Sequence, residues 1–269
     1  MIKFFNQIIY LNVIVALATG ILSAGFTFEL NFEKWYLYGV FAFFATLSVY
    51  NGQRLFKSNM LKQTPWLKWV RDNRKGLMIL SLVSGFSAGG TFLLMWKPEL
   101  NSAIILLLSG LISMFYVVKV NGKNMREVPY LKIHLIALTW TLILILFPLI
   151  NEGHGAKFWP TIAHYLYVLA VTIPFDIRDL KYDTPSQKTI PQIVGVARAK
   201  IISIALLVLF VILMFNFVDG FLMFNPVFYL AVIVQIILVL KMNEKRSDGY
   251  CAGAIDGAIA LLGISYFIH

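Results

Sequence analysis

Runs of about 20 mostly apolar residues recur from one end of the chain to the other, the length of helix that crosses a hydrocarbon core roughly 30 Å thick. They lie at about 7–28, 35–50, 77–96, 101–119, 130–150, 158–175, 200–218, 226–241 and 250–267. Lipid offers no partner to backbone N–H and C=O groups, so each run must form a helix or a strand of a closed barrel. Unbroken apolarity without period-two alternation excludes the barrel. The sequence thus predicts an all-α polytopic membrane protein, a nine-helix transmembrane bundle. Composition agrees: 59% of residues are hydrophobic and 13% charged, with a mean hydropathy of +0.77. A soluble domain carries about a quarter charged residues. Prolines and glycines are spread through the chain, so no linker divides it, and residues 1–269 read as one integral membrane domain.

Charge sets the expected orientation, because lysine and arginine are retained on the cytoplasmic side during insertion. With nine spans, 20 of the 23 basic residues fall on one side, and only Lys34, Lys97 and Lys157 on the other. The amino terminus is expected inside and the carboxyl terminus outside, in a multi-pass cell-membrane protein. Lys3 and Ala16-Leu17-Ala18 have features of a signal peptide, but cleavage there would remove a span that the loops do not require removing. The formal charge of +10 is explained by topology and anionic lipid head groups, and no nucleic-acid-binding motif accompanies it. The basic loop 51–76, with Pro65, Trp66 and Trp69, reads as an amphipathic segment on the membrane surface. Cys251, the lone cysteine, reads as a small buried hydrophobe.

Ionisable residues at a membrane boundary are costly and need a partner or a task. The sixth run ends in Asp176-Ile177-Arg178-Asp179-Leu180-Lys181-Tyr182-Asp183. At 100° per residue its three carboxylates fall within about 60° of one helix face. A hard divalent cation bridging them would relieve their repulsion, and Mg²⁺ suits a site that also takes ligands from substrate phosphates. Alternatively, Arg178 and Lys181 neutralise the acids at an ordinary charged helix end.

This stretch, followed by Lys188-Thr189-Ile190-Pro191 and Gly195, resembles the second aspartate-rich motif of the UbiA superfamily of intramembrane prenyltransferases and the segment after it. Tyr116, Lys119 and Pro129 are similar to that family's tyrosine-lysine-proline pattern. The resemblance implies a nine-helix fold and transfer of a prenyl group from an isoprenyl diphosphate to a lipophilic acceptor. Mg²⁺ would be held by Asp176, Asp179 and Asp183, and the diphosphate by Asn51, Arg54, Lys119 and Lys188. The departure lies at the second run, where the family's first aspartate-rich motif is reduced to Asn51, with Gly52, Leu55 and Asn59 in place of its aspartates.

Two accounts of that departure follow. In one, Arg54 takes over part of the lost cation's work, which requires it to share a cavity with the Asp176–Asp183 face and with an apolar channel. In the other, the chain keeps the fold to bind an isoprenoid or quinone-like lipid, or a protein partner, without catalysis. A transporter is a third reading, drawn from Asp256 inside the ninth run as a proton relay, against which stands a bundle-facing acid hydrogen-bonded to a neighbouring helix. His134 reads either as a base for the acceptor or as a satisfied packing histidine.

Overall fold

The computed structural model describes residues 7–57, 65–95, 97, 99–119, 124–215 and 225–268. Asn59 and the basic residues Lys3, Lys62 and Lys123 lie outside them. The elements are α1 (Val13–Glu29), α2 (Trp35–Lys57), α3 (Pro65–Asp72), α4 (Arg74–Met95), α5 (Leu100–Phe115), α6 (Leu131–Asn151), α7 (Phe158–Asp179), α8 (Ile190–Phe215), α9 (Pro226–Leu240) and α10 (Tyr250–Ser265). Among the described residues there is no strand. Among the described residues four helices, α4, α6, α7 and α8, are long and apolar enough to cross a membrane, and α1, α5, α9 and α10 are shorter apolar helices.

The bundle closes through small residues, since lipid tails give apolar helices no reason to prefer each other and close van der Waals contact must do so. α1 packs against α2 and α10. A Cβ on Gly25 would lie 2.0 Å from the carbonyl oxygen of Gly263 in α10, and one on Gly263 would lie 2.6 Å from the backbone of Ile21. Gly263→Val is therefore expected to push α10 off α1 and lower stability by about 1–3 kcal/mol, the usual penalty of overpacking, read as a fall in the thermal midpoint in detergent.

α7 carries Pro174 in its interior, and proline has no N–H to give the carbonyl of Ala170 one turn back. The Ser203 hydroxyl of α8 donates to that carbonyl at 2.7 Å, so the break is satisfied by the neighbouring helix. Ser203→Ala should cost about 1–3 kcal/mol, because it leaves a buried acceptor unpaired. α8 itself kinks at Gly195, whose φ of 80° lies in the left-handed region.

α9 and α10 are tied by Asn225, which caps α9 by accepting from the Phe228 N–H at 3.0 Å and donates to the Ser265 carbonyl at 2.7 Å. Among the described residues two π-helical turns interrupt regular winding, Leu142–Leu146 within α6 and Tyr250–Ile255 at the start of α10. α3 is amphipathic: Leu67 and Val70 are buried, while Lys68, Arg71 and Asp72 are exposed.

Charged groups gather at the two ends of the bundle. At one end the Lys34 ammonium donates to the Leu94 carbonyl, and Lys97 pairs with Glu152. At the other lie Arg54, Arg126, Lys132, Arg178 and the acids of the site described next.

Candidate functional site

A cavity of about 800 Å³ runs into the bundle from this second end. Its mouth is formed by the end of α7, the loops before α6 and α10, the end of α2, and Trp66 of α3. Its interior is walled by apolar side chains, among them Phe41, Phe92, Leu106, Ile143 and Val168.

α7 ends at Asp179, and the Asp183 N–H donates to the Asp179 carbonyl at 2.8 Å, so one further turn returns Asp183 to the face of Asp176. Across from it, Tyr130 (φ 67°) starts α6 and donates its N–H to the Gln187 carbonyl at 2.9 Å. This bond joins the loops before α6 and α8. It brings Lys132 to the acids.

The Lys132 ammonium lies 2.8 Å from Asp176, 2.6 Å from Asp183 and 3.9 Å from Asp179. Asp176 is 1% exposed and Lys132 5%. Among the described residues neither Asp176 oxygen accepts a hydrogen bond of good geometry, and Lys132 is the cation that compensates its burial. Arg126 approaches Asp183 at 3.6 Å and lies over the Tyr116 ring. Burial alone would lower the Arg126 pKa, but the attraction of Tyr116, Asp183, Asp179 and Glu127 outweighs it and holds the guanidinium above its ordinary value. Arg178 donates to both Asp179 oxygens, at 2.8 and 3.2 Å, and reaches Asp248 at 3.2 Å. Arg54 donates to the Tyr10 carbonyl and lies over the Trp66 ring, and among the described residues it forms no ion pair.

The sequence-predicted residues divide. Asp176, Asp179, Asp183 and Arg54 line this one cavity. Asn51 does not: it is fully buried, bonded to Asn12 and to the Leu11 and Leu47 carbonyls, and braces α2 against the chain before α1. Lys119 and Lys188 are exposed outside the cavity lining, Lys188 over the Tyr130 ring. The cations that do line it are Arg54, Arg126, Lys132 and Arg178. Lys132 is the residue sequence reasoning missed, although its place inside an apolar run was a signal that it needed a partner. Lys181 lies over Tyr182, so the neutralising role falls to Arg178 and Lys132. His134 is hydrogen-bonded to Tyr165 at 2.7 Å on the outer surface, away from the cavity. Cys251 is buried.

Among the described residues no three carboxylate, histidine or cysteine side chains gather closely enough to cage a metal by themselves. The acids converge instead on a cation position that the Lys132 ammonium takes.

No protein-family model matches the chain, and no curated protein sequence matches it. A solved structure of a UbiA homologue from Archaeoglobus fulgidus bound to GPP and Mg²⁺ superposes with a TM-score of 0.60 at 14% identity, covering 98% of this chain and 96% of that one. The same homologue bound to DMAPP and Mg²⁺ gives a TM-score of 0.58 at the same identity and coverage. The chain has the UbiA fold. In a UbiA fold, helices of this length and apolarity are those of a membrane protein, and the charged mouth described above opens at one end of the bundle.

Proposed function

We propose that the chain transfers a prenyl group from an isoprenyl diphosphate to a lipophilic acceptor within the membrane. The observation that carries this is one cavity joining a mouth rich in ionised groups to an apolar interior, the shape of an anionic head on a hydrocarbon tail. The UbiA homologues of the same fold were solved with such compounds, GPP and DMAPP. By the positive-inside rule the mouth faces the cytoplasm.

Charge supports a metal. Among the described residues the cavity is lined by six carboxylates, Glu127, Asp176, Asp179, Asp183, Asp248 and Asp256, against four cationic side chains. An added diphosphate would raise an existing excess of negative charge unless cations enter with it. Mg²⁺ fits the position marked by the Lys132 ammonium, where Asp176 and Asp183, with Asp179 beside them, would hold it. When bound it supplies neutralisation of the diphosphate and withdrawal of electrons from the scissile C–O bond. Lys132 and Arg126 on one side of the mouth and Arg54 on the other would be the cationic side chains available to the diphosphate oxygens. The apolar interior holds the tail and excludes water from the allylic cation.

A second reading has its own observation. Lys132 between Asp176 and Asp183 closes the acid site with an internal ion pair, which suits a protein that binds an isoprenoid or quinone-like lipid without chemistry. The two separate in nanodiscs supplied with Mg²⁺, isoprenyl diphosphates of about ten to twenty carbons and a membrane lipid extract. Diphosphate release that depends on Mg²⁺ supports transfer. No release with any donor, together with an isoprenoid that copurifies and survives chelation, would establish binding alone.

A further inference from the structure

Asp256 and Tyr50 line the cavity inward of its charged mouth, and among the described residues neither has its hydrogen-bonding capacity met. Asp256 follows the π-helical turn Tyr250–Ile255, an irregularity often found where a helix is re-aimed at a site. It is eight residues beyond Asp248, past that π-helical turn and further along the chain into the bundle. Its side chain lines the cavity and is 6% exposed. Among the described residues it makes no hydrogen bond or contact ion pair, although it feels the charges of Arg178 and Arg54. An acid buried among membrane helices is costly and is normally paired. Tyr50, one turn inward from Arg54 on α2, accepts the Trp140 indole N–H at 3.0 Å, and its own O–H has no acceptor among the described residues.

Tyr50 feels the Asp256 charge, and the pair thus offers one acceptor, the carboxylate, and one donor, the phenol, within the cavity. A hydroxyl group uses both at once. A diphosphate would be repelled by Asp256, and a metal ion would find one carboxylate beside two arginines.

We propose that Asp256 and Tyr50 seat the hydroxyl of a lipophilic alcohol or phenol, the acceptor of the transferase reading on which this inference rests. The Tyr50 O–H donates to the acceptor oxygen, and that oxygen's proton points at Asp256. As the allylic C–O bond breaks, its electron pair leaves with the diphosphate. A lone pair of the acceptor oxygen forms the new bond to that carbon, and the acceptor's proton passes to the Asp256 carboxylate. No oxidant or reductant is involved. Tyr50 lies one turn inside Arg54, where the first carbons of a tail anchored at the mouth would pass.

The test begins without donor or metal. A long-chain alkylphenol and its methyl ether are titrated into the protein in nanodiscs, and tryptophan fluorescence reports binding beside Trp140. Wild type is expected to bind the phenol about tenfold more tightly than the ether, as one charge-assisted hydrogen bond allows. Asp256→Asn should bring the preference to about twofold or less, with ether affinity unchanged as the sign of an intact cavity, whereas Tyr50→Phe removes a donor that the phenol and ether oxygens both accept from and should weaken both about equally. In the second arm, transfer of labelled geranyl from geranyl diphosphate to the phenol with Mg²⁺ should fall about a hundredfold in Asp256→Asn. Equal affinity of wild type for phenol and ether, or a preference and a rate that survive Asp256→Asn, would overturn the seat. A preference lost in Asp256→Asn while wild type transfers nothing from any donor would uphold the seat and remove the transferase reading instead.

Discussion

Replacing Asp176 and Asp179 together by asparagine is expected to cut Mg²⁺-dependent diphosphate release from an isoprenyl donor by about a thousandfold. The size follows from what the carboxylates do in the proposed reaction. The departing diphosphate gathers negative charge, and a held Mg²⁺ stabilises it by several kcal/mol, of which about 4 kcal/mol is a thousandfold in rate. Asparagine keeps the shape and loses the charge, so Lys132 retains only Asp183 as a close anionic partner and remains the dominant cation of the site. The bundle should survive, since α7 is held by Ser203 on the Ala170 carbonyl and by its packing on α6 and α8, away from these acids. Release is followed with labelled donor in nanodiscs, alongside an unfolding curve for the variant. Release at the wild-type rate from a folded double variant would remove these residues from the chemistry, and the site with them.

Much of the fold was legible because the bilayer imposes it. Apolar runs of span length have one helical solution, and helices occur along those runs, with their ends shifted where polar residues continue the winding, as from Asn51 to Lys57 in α2. The acid face of α7 was legible for a similar reason, since helical spacing puts Asp176 and Asp179 on one side without reference to any other element. Arg54 could be placed beside Asn51 on one helix, but not their separate fates. Asn51 turns into the bundle to hold Asn12 and the Leu11 carbonyl, while Arg54 reaches the cavity.

What could not be read depends on contacts between loops. Lys132 entered the charge count as one of 20 topological cations, and nothing in its neighbours shows that the Tyr130 N–H will bond the Gln187 carbonyl and swing it among three aspartates. Lys119 and Lys188 have the residue type and motif position of diphosphate ligands, yet the backbone carries both outside the lining. Local spacing fixes which residues of one helix share a face. It does not fix which loop closes over them.

Lys132→Met turns that missed contact into a measurement. The substitution keeps the stem and removes the one positive charge between Asp176 and Asp183, leaving carboxylates that are buried and lack a partner of equal quality. Removing one partner of a buried pair costs about 3–5 kcal/mol, because the remaining charge stays out of water uncompensated. The variant in chelator should therefore unfold well below wild type in a thermal scan. A divalent cation offers the acids what methionine cannot. Binding only the folded form, Mg²⁺ at a hundred times its dissociation constant restores about 2.7 kcal/mol. Wild type, in which Mg²⁺ must first displace an ammonium at 2.6–2.8 Å, should gain far less from the same concentration. A variant as stable as wild type in chelator and indifferent to Mg²⁺ would mean that the acids hold their own protons, and the cation position would be lost. A variant that is weakened in chelator and selectively restored by Mg²⁺ would mean that ammonium and metal compete for one place, so that Lys132 sets the Mg²⁺ concentration at which the protein can act.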